Sequence, residues 1–431
     1  MARPVQYRTR GGFLTTACTD DFAPGRPIVP HWGLVAGHLA HGGSWLLLGA
    51  LAARGQLGFS LPGLAWVHTV TLGWLTLVSV TMLVHVLEEI LGLKWPGGLA
   101  VRKTLAPYAL GVLGLVAGFW LEKPRMIAWS AVLVVGALAA WLAFAAAAFA
   151  TSPVRSVPVR RAFQVVLAML AATAGIGAGM AWTLGFGGAA EWLTVGPAVH
   201  AHLGGLGWLT LLVIGVAHRT FGALFGRRSD KIALHVAALS SLLAAALGVT
   251  IALVTGSQRG LAVALVVASV GVLAHLADVG LLARSAVSTH RPPQAFALAS
   301  HGWLVVALIL AGGIVVGRDW RSAYAFVALV GWIGQMVNAH LHHVPVVALG
   351  RLFGVSIGSP GDWLKAPLSW VSFAAFQAAI GVVLIGGLCG LPSIVALGAL
   401  FGAFGWTAMT VNLVGAAQRV RAVRAQRVSA P

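Results

Sequence analysis

Long apolar stretches separated by short polar segments recur along the whole chain. Each stretch is long enough for an α-helix to cross the hydrocarbon core of a bilayer, which takes about 20 residues. The pattern predicts an all-α, polytopic membrane protein with about twelve transmembrane helices. The predicted spans, numbered 1 to 12 in chain order, cover residues 30–53, 64–91, 104–121, 127–150, 162–184, 194–217, 232–255, 260–283, 294–316, 322–346, 367–390 and 393–417.

The segments at the two ends of the chain are polar and divide it into three parts. Residues 1–28 carry charge but lack the apolar core of a signal peptide, which predicts a cytoplasmic N-terminal tail. Residues 29–418 are predicted to form a single transmembrane domain of twelve helices. Residues 419–431 are predicted to form a basic cytoplasmic tail.

Composition and charge exclude the soluble classes of protein. Of the 431 residues, 59% are hydrophobic and only 9% are charged, which is too few for a soluble surface. The net charge of +18 would suggest nucleic-acid binding in a soluble protein. Here the basic residues lie between apolar spans, so we predict no nucleic-acid partner and a lipid bilayer around the protein. By alternation of the spans, 22 Lys and Arg fall on the N-terminal side and 6 on the other. The positive-inside rule then places both termini in the cytoplasm, as in a multi-pass protein of a bacterial-type inner membrane.

Some of the predicted spans carry related sequences. The string LGWLTL occurs at residues 72–77 and again at 206–211, each time four residues after a histidine, and span 10 has a weaker form, VGWIGQ, at 330–335. Span 1 resembles span 9 in the stretches AHGGSWLLLGAL (40–51) and SHGWLVVALIL (300–310). These echoes predict three pseudo-repeated units of four helices, beginning near spans 1, 5 and 9.

Histidines within the spans are the candidate functional residues, because ionisable side chains are costly inside a bilayer and usually mark a function. Even-numbered spans run from the outer to the inner side in the predicted orientation. His68, His200 and His202 therefore lie in the outer half of the membrane, near the starts of spans 2 and 6. His68 and His202 both precede the Gly of the repeated string by five residues, and in span 10 this position is Phe326.

A larger set of histidines is predicted to lie in the inner half. His85 follows His68 by 17 residues, a rise of about 25 Å, so span 2 carries one candidate ligand near each face of the membrane. A second haem, a copper or non-haem iron site and a proton path all fit this set, and so does simple snorkelling toward the headgroups for some of its members. The candidate metal ligands of the set are His38, His41, His85, His218, His301, His340, His342 and His343.

Neutral imidazole is a usual axial ligand of b-type haem and a common ligand of copper. Two imidazoles at equal depth on facing helices can bind one iron from both sides, and His68 can do so with His202 or with His200. Residues two apart on a helix point roughly 160° apart, so His200 and His202 would serve sites on opposite sides of span 6. Neither Cys18 nor Cys389 lies in a CxxCH motif, which argues against covalently attached c-type haem.

This arrangement resembles the catalytic subunit of the haem–copper oxidases, which has twelve spans in three related units and histidines on helices 2, 6 and 10. The stretch HAHLGGLGW at 200–208 is similar to a signature of the cbb3-type and nitric-oxide-reductase branches. Extended to residue 228, it is similar to the NnrS family, twelve-span haem- and copper-containing proteins associated with nitric oxide stress. The resemblance implies haem b on His68, His200 and His202, copper or a second haem, a diatomic gas ligand, and an electron-donor protein or quinol as partner.

The chain also departs from the oxidase pattern. Its HxH pair lies on span 6 instead of helix 10, span 7 lacks the adjacent His-His that holds copper, and no Tyr follows the histidines of span 6. We therefore expect a haem protein that handles nitric oxide or a related gas, without an oxidase-type binuclear centre. Two alternatives stay open. One is a subunit of an oxygen or nitric oxide reductase with an unusual metal site, and the other is a haem-free ion or metal transporter.

Overall fold

The computed structural model describes residues 31–96, 99–152, 157–188, 192–227 and 229–429. Within these ranges every regular element is a helix, and twelve helices are long and apolar enough to cross a membrane. The predicted all-α, polytopic fold is confirmed. The spans, numbered as before, are Trp32–Ala53, Leu61–Glu88, Ala100–Trp120, Pro124–Thr151, Val159–Phe186, Leu193–Ala217, Ile232–Thr255, Gln258–Arg284, Arg291–Val315, Arg321–Gly350, Ala366–Leu388 and Pro392–Gln426.

Proline and glycine set many of the helix ends. Several helices carry proline in their first turn, where its missing N–H has no intrahelical partner to lose. Gly92, Gly226 and Gly256 end three helices in the left-handed conformation that glycine adopts without strain. Outside spans 2, 6 and 10, the α-helices are His31–Ala53, Leu99–Lys103 with Leu105–Trp120, Pro124–Thr151, Val157–Phe186, Ile232–Thr255, Gln258–Arg284, Arg291–Val315, Ala366–Leu388 and Pro392–Ser429, and a 3₁₀-helix spans Pro360–Trp363.

Spans 2, 6 and 10 form the centre of the bundle. Their most apolar windows are 71%, 50% and 72% buried, against 28–44% for the other nine spans. Each span packs on the next one along the chain, and span 12 packs on span 1, which closes the bundle around this centre. The three spans that share the Gly-Trp string are therefore the ones that the others surround.

A π-helix interrupts each of these central spans at the repeated string. Wide π-helical turns are rare in proteins, and those that occur often lie at functional sites. The three π-helices are eight residues long and begin directly after His68, His202 and Phe326. The helical segments are Leu61–His68, Thr69–Thr76 (π) and Leu77–Leu91 in span 2; Trp192–His202, Leu203–Thr210 (π) and Leu211–Phe225 in span 6; and Arg321–Phe326, Val327–Gly334 (π), Gln335–Leu341 and Val344–Phe353 in span 10.

The glycine of each π-helix allows the preceding span to pack closely on it. A Cβ at Gly73 would lie 3.2 Å from the Cβ of Ala40 on span 1, and a Cβ at Gly207 would lie 3.2 Å from the Sδ of Met169 on span 5. At Gly331 the nearest atom, the Cβ of Trp303 on span 9, would be 2.9 Å away. Spans 1, 5 and 9 thus approach spans 2, 6 and 10 in the same way. This likeness supports the arrangement in three four-helix units, which stays a prediction.

Hydrogen bonds join the π-helices to one another in the core. The indole N–H of Trp208 donates to the hydroxyl of Thr76 at 3.2 Å, and the indole N–H of Trp332 donates to the hydroxyl of Thr210 at 3.3 Å. Both tryptophans are almost fully buried. A buried donor costs free energy unless it is paired, so these bonds couple span 6 to span 2 and span 10 to span 6.

The third bond of this kind is missing, because residue 334 is glycine where the other π-helices end in threonine. The indole nitrogen of Trp74 is buried without a hydrogen-bond partner. A Cβ at Gly334 would lie 2.7 Å from Cη2 of Trp74, so the absence of a side chain at 334 makes room for this ring. Trp74 also stacks on the imidazole of His41, which lies parallel to it at 3.6 Å between ring centroids.

The basic C-terminal segment continues the last helix as far as Ser429. Arg419 donates to the backbone carbonyl of Trp363, and the guanidinium groups of Arg421 and Arg424 lie 5.5 and 5.6 Å from the centroid of the Phe353 ring. The predicted tail therefore packs against the connection between spans 10 and 11. The predicted N-terminal tail, residues 1–28, lies outside the described residues.

Candidate functional site

The structure places two of the outer histidines side by side. The imidazole rings of His68, on span 2, and His200, on span 6, have centroids 6.4 Å apart and planes inclined by 25°. Both rings are half-buried. Of the two pairings that the sequence allows for His68, the contact is therefore with His200 and not with His202.

Backbone carbonyls orient both rings. Nδ1 of His68 lies 2.8 Å from the carbonyl oxygen of Leu64, one turn earlier on its own helix. Nδ1 of His200 lies 2.9 Å from the carbonyl oxygen of Thr173 on span 5. A carbonyl only accepts, so each Nδ1 carries the proton and each Nε2 carries the lone pair. This is the tautomer in which imidazole binds a metal through Nε2, with the Nδ1–H bond fixing the ring.

His202 points to the other side of span 6, as its spacing from His200 predicts. Its ring lies 6.2 Å from the ring of Tyr324 on span 10, with an angle of 23° between the planes. Nδ1 of His202 lies 2.8 Å from the carbonyl oxygen of Ala198, so this ring also presents Nε2 as its lone pair. The opposite faces of the HAH motif thus contact two different neighbouring helices. Tyr324 was not among the predicted site residues, although it precedes Phe326 by two residues as His200 precedes His202.

A third ring pair has the same geometry with different chemistry. Trp66 and Phe326 lie 5.9 Å apart with an angle of 24° between their planes, between spans 2 and 10. We name the three contacts the first pair (His68 and His200), the second pair (His202 and Tyr324) and the third pair (Trp66 and Phe326). A cavity of about 90 Å³ lies at the third pair and is lined mostly by apolar side chains of spans 1, 2, 10, 11 and 12.

His41, one of the predicted inner histidines, lies at the level of the π-helix of span 2. His41 is fully buried between Trp74, in the middle of span 2, and Phe376, at 3.6 and 5.2 Å between centroids. Its Nε2 accepts a hydrogen bond from the indole of Trp45 at 3.1 Å. His38, one turn away, lies 2.8 Å through Nε2 from the hydroxyl of Thr410. Nδ1 of each of the two histidines is buried without a partner.

His301 also lies at the level of a π-helix, and its ring contacts a histidine that was not among the predicted ligands. Nε2 of His301 is 3.1 Å from Nε2 of His275 on span 8. Nδ1 of His301 lies 2.5 Å from the carbonyl oxygen of Ala297. The ring of Trp332 covers the pair at 5.1 Å from His301 and 6.1 Å from His275. We name these two histidines the dyad.

Three of the remaining predicted ligands lie near the end of span 10. The structure does not describe the side chains of the other two. His340 and His342 hold their Nδ1 atoms 2.9 and 2.8 Å from carbonyl oxygens one turn earlier, and Nε2 of His340 is buried without a partner. The backbone N–H of His343 donates to the carbonyl oxygen of His340 at 2.9 Å. The side chains of His85 and His218 lie outside those described, although both residues are helical.

No three His, Cys, Asp or Glu side chains among the described residues come close enough to hold one metal ion. The six predicted inner ligands whose side chains the structure describes therefore do not form a single cluster. They form separate groups: His38 with His41, His301 with His275, and the histidines of span 10.

The distance between the rings of the first pair can be compared with the spacing of two imidazoles that bind one iron. Metal–imidazole bonds are about 2.0 Å long, and the ring centre lies a further 1.1–1.2 Å away, so two axial imidazoles place their centroids roughly 6.3 Å apart. The observed separation is 6.4 Å. The chemistry of the donor set and its tautomers agree with the same role.

A scan against protein-family models and a search of curated proteins both find no match for this chain.

Proposed function

We propose that the chain is a haem-binding membrane protein that handles nitric oxide or a related diatomic gas. The observation that carries the proposal is the first pair, two Nε2-presenting imidazoles on facing helices at the spacing of axial ligands. The resemblance to haem–copper oxidases and to the NnrS family supports it, because it rests on the same HAH motif. Haem b bound there would supply an iron that cycles between ferrous and ferric states and that binds diatomic gases.

The residues around the first pair orient the two imidazoles and cover the ring of His68. The carbonyls of Leu64 and Thr173 hold the two imidazoles in one tautomer and raise the basicity of Nε2, as backbone acceptors do for metal-bound histidines. Phe119 covers the ring of His68 at 4.8 Å between centroids. A haem held by both His68 and His200 would be suited to electron transfer more than to gas binding.

The second pair supplies what the first pair lacks. His202 offers one imidazole and faces the phenol of Tyr324 in place of a second imidazole. A metal or haem on His202 would keep a position open for a gas ligand, and the hydroxyl of Tyr324 is a hydrogen-bond donor on that side. The second haem or the copper that the resemblance implies is therefore proposed at His202.

The location of the protein is inferred from its charge distribution, and the need for a reductant follows from the proposed haem. We infer a bacterial-type inner membrane with both termini in the cytoplasm, from the distribution of Lys and Arg. An electron-donor protein or a quinol would reduce the site.

The test compares three alanine variants of the purified protein from haem-replete cells. The wild type should show b-type bands in a reduced-minus-oxidised spectrum and haem in a pyridine haemochrome assay. His68→Ala and His200→Ala should each abolish the low-spin bands, because each removes one axial ligand. His202→Ala is the matched control: it lies two residues from His200 with the same kind of Nδ1 contact, and it should keep those bands while losing the shift on adding nitric oxide.

Two results would contradict the proposal. Well-folded wild-type protein without haem would end it. Loss of the same bands in His200→Ala and in His202→Ala would mean a single shared site. Turnover of oxygen or nitric oxide with a reductant would favour a reductase subunit over a gas-binding protein.

A haem-free proton or cation pathway is a second candidate, and buried unpaired polar atoms favour it. Nδ1 of His38, Nδ1 of His41, Nε1 of Trp74 and both amide atoms of Asn338 lack hydrogen-bond partners. Buried polar groups of this kind are costly unless water or a ligand pairs with them. The haemochrome assay separates the two candidates, because this pathway requires no haem.

A further inference from the structure

Arginines directly follow the apolar part of the last helix. The apolar run ends at Ala417, and Arg421 and Arg424 follow it by four and seven residues, a rise of about 6 and 10 Å along the helix. The headgroup layer of a bilayer is about 5–8 Å thick on each side of the hydrocarbon core. Side chains on a helix point back toward its N-terminus, so both guanidinium groups reach toward this layer.

Two of these arginines share one aromatic ring. The guanidinium carbons of Arg421 and Arg424 lie 5.5 and 5.6 Å from the centroid of the Phe353 ring, which places them within about 11 Å of each other. Both residues are exposed, whereas Arg419 is half-buried and donates to the carbonyl oxygen of Trp363. Phe353 therefore holds two like charges close together at the surface of the protein.

No carboxylate of the described residues neutralises these two arginines. Within the described part of the chain, the ion pairs join Lys231 to Asp230 and Arg321 to Asp319. Like charges three residues apart on a helix repel each other. An anion bound between the two guanidinium groups would relieve this repulsion, and guanidinium binds phosphate through paired N–H donors.

The helix face that leads from the arginines into the membrane is apolar and exposed. Val414 precedes Arg421 by seven residues, or two turns, so it lies on the same face about 10 Å nearer to the centre of the bilayer. Val411 and Val414 are 55% and 51% exposed. A ligand with an anionic head and an apolar chain matches this face, whereas a free phosphate ion matches the arginines alone.

We propose that Arg421 and Arg424 bind the phosphate headgroup of an anionic phospholipid whose acyl chains lie against Val411 and Val414. The cytoplasmic leaflet carries anionic lipids that attract basic segments next to a span, and the predicted orientation places the site at that leaflet. The bound lipid would hold the segment after span 12 at the membrane surface. The proposal does not depend on haem at the first or second pair.

The experiment measures lipid binding to the purified full chain by native mass spectrometry. Protein in detergent is titrated with phosphatidylglycerol and, in parallel, with neutral phosphatidylcholine. The wild type should bind phosphatidylglycerol more tightly than phosphatidylcholine. Arg421→Gln/Arg424→Gln should bind phosphatidylglycerol about 30-fold more weakly, the loss expected for two basic residues near an anionic surface. Arg421→Lys/Arg424→Lys should keep most of the binding, because both charges remain.

Arg54→Gln/Arg125→Gln is the matched control. Arg54 also lies over an aromatic ring, 4.9 Å from the centroid of Trp120, and both control residues are exposed at the opposite end of the bundle. This variant removes the same charge and should bind phosphatidylglycerol like the wild type. Each variant should elute as the wild type does in gel filtration. If Arg421→Gln/Arg424→Gln aggregates, the two single variants replace it, each with an expected loss of about fivefold.

Inorganic phosphate is the probe that separates a lipid site from a site for a free anion. A large excess of phosphate should displace no more lipid than chloride does at equal ionic strength, because phosphate lacks acyl chains. Equal affinity for the two lipids, unchanged binding after removal of the two arginines, an equal loss in the control, or specific displacement by phosphate would overturn the proposal. Haem content is measured separately, so failure of the lipid site and failure of the haem proposal are distinguishable.

Discussion

A single glycine allows span 5 to approach the ring of His200. A Cβ at Gly177 would lie 2.7 Å from Cε1 and 3.2 Å from Nδ1 of His200, the atom that donates to Thr173 on the same span. The ring is thus confined between a carbonyl and a glycine of one helix. Gly179 lies two residues later on the same helix, and a Cβ added there would have no neighbouring atom within 4 Å.

Gly177→Ala should therefore displace His200 and destabilise the protein by about 1–3 kcal/mol, as overpacking does. Gly179→Ala, on the same helix, should be neutral or stabilising by up to about 1 kcal/mol, because alanine favours the helix. Thermal unfolding in detergent measures both effects, and the low-spin bands should weaken only in Gly177→Ala. Equal behaviour of the two variants would show that span 5 does not confine the ring.

For single residues, the sequence predicts the position along a helix better than the side chain that the residue contacts on another helix. The equal register of His68, His202 and Phe326 was visible in the repeat, and all three residues precede a π-helix. Helical spacing also predicts that His200 and His202 face opposite sides. The contact of His301 with His275 was not predictable, because it joins spans whose relative rotation leaves no mark in the hydrophobic pattern.

The π-helices link the three central spans through tryptophan and threonine. The indole of Trp208 donates to Thr76 of another π-helix, whereas the hydroxyl of Thr71 donates to Val67 of its own helix. Thr76 is 2% exposed. Thr76 therefore links two helices, whereas Thr71 bonds only within its own helix.

Thr76→Val should cost about 1–3 kcal/mol, because it leaves the indole N–H of Trp208 buried and unpaired. Thr71→Val is the control and should have a smaller effect, since it removes a bond within one helix. Adding Trp208→Phe to Thr76→Val should cost less than the sum of the two single changes, as expected for directly coupled groups. Strict additivity in thermal or chemical unfolding would argue against the bond.

The π-helices themselves were beyond prediction. The string LGWLTL has the apolar, glycine-containing composition of an ordinary transmembrane helix, and hydropathy does not distinguish five-residue from four-residue hydrogen bonding. The repeat does mark where they occur, because each π-helix coincides with one copy of the Gly-Trp string.

At the scale of the whole molecule, hydropathy and helix length were sufficient for the fold. All twelve predicted spans are present, because a chain in a bilayer must satisfy its backbone hydrogen bonds within helices. The central position of spans 2, 6 and 10 agrees with their shared string and polar residues. The side of the membrane that each loop faces rests on the positive-inside rule and is open to direct measurement.

Chemical labelling tests the orientation. Cys389, between spans 11 and 12, is a free, exposed thiol, and the predicted orientation places it outside. In a Cys18→Ser background, a membrane-impermeant maleimide should label Cys389 in intact spheroplasts. In a Cys18→Ser, Cys389→Ser background, Ser359→Cys, at an exposed position between spans 10 and 11, should be labelled only after permeabilisation. The reverse pattern would invert the topology.

The three ring pairs show one backbone geometry presenting imidazole, phenol, indole and phenyl rings at 5.9–6.4 Å. Since the spacing and tilt are nearly the same in each pair, the backbone does not have to be redesigned when the chemistry changes. Point substitutions at these six positions would therefore be enough for such a protein to gain or lose a cofactor during evolution. Descendants of a common ancestor could then differ in the number of cofactors that they carry while remaining superimposable.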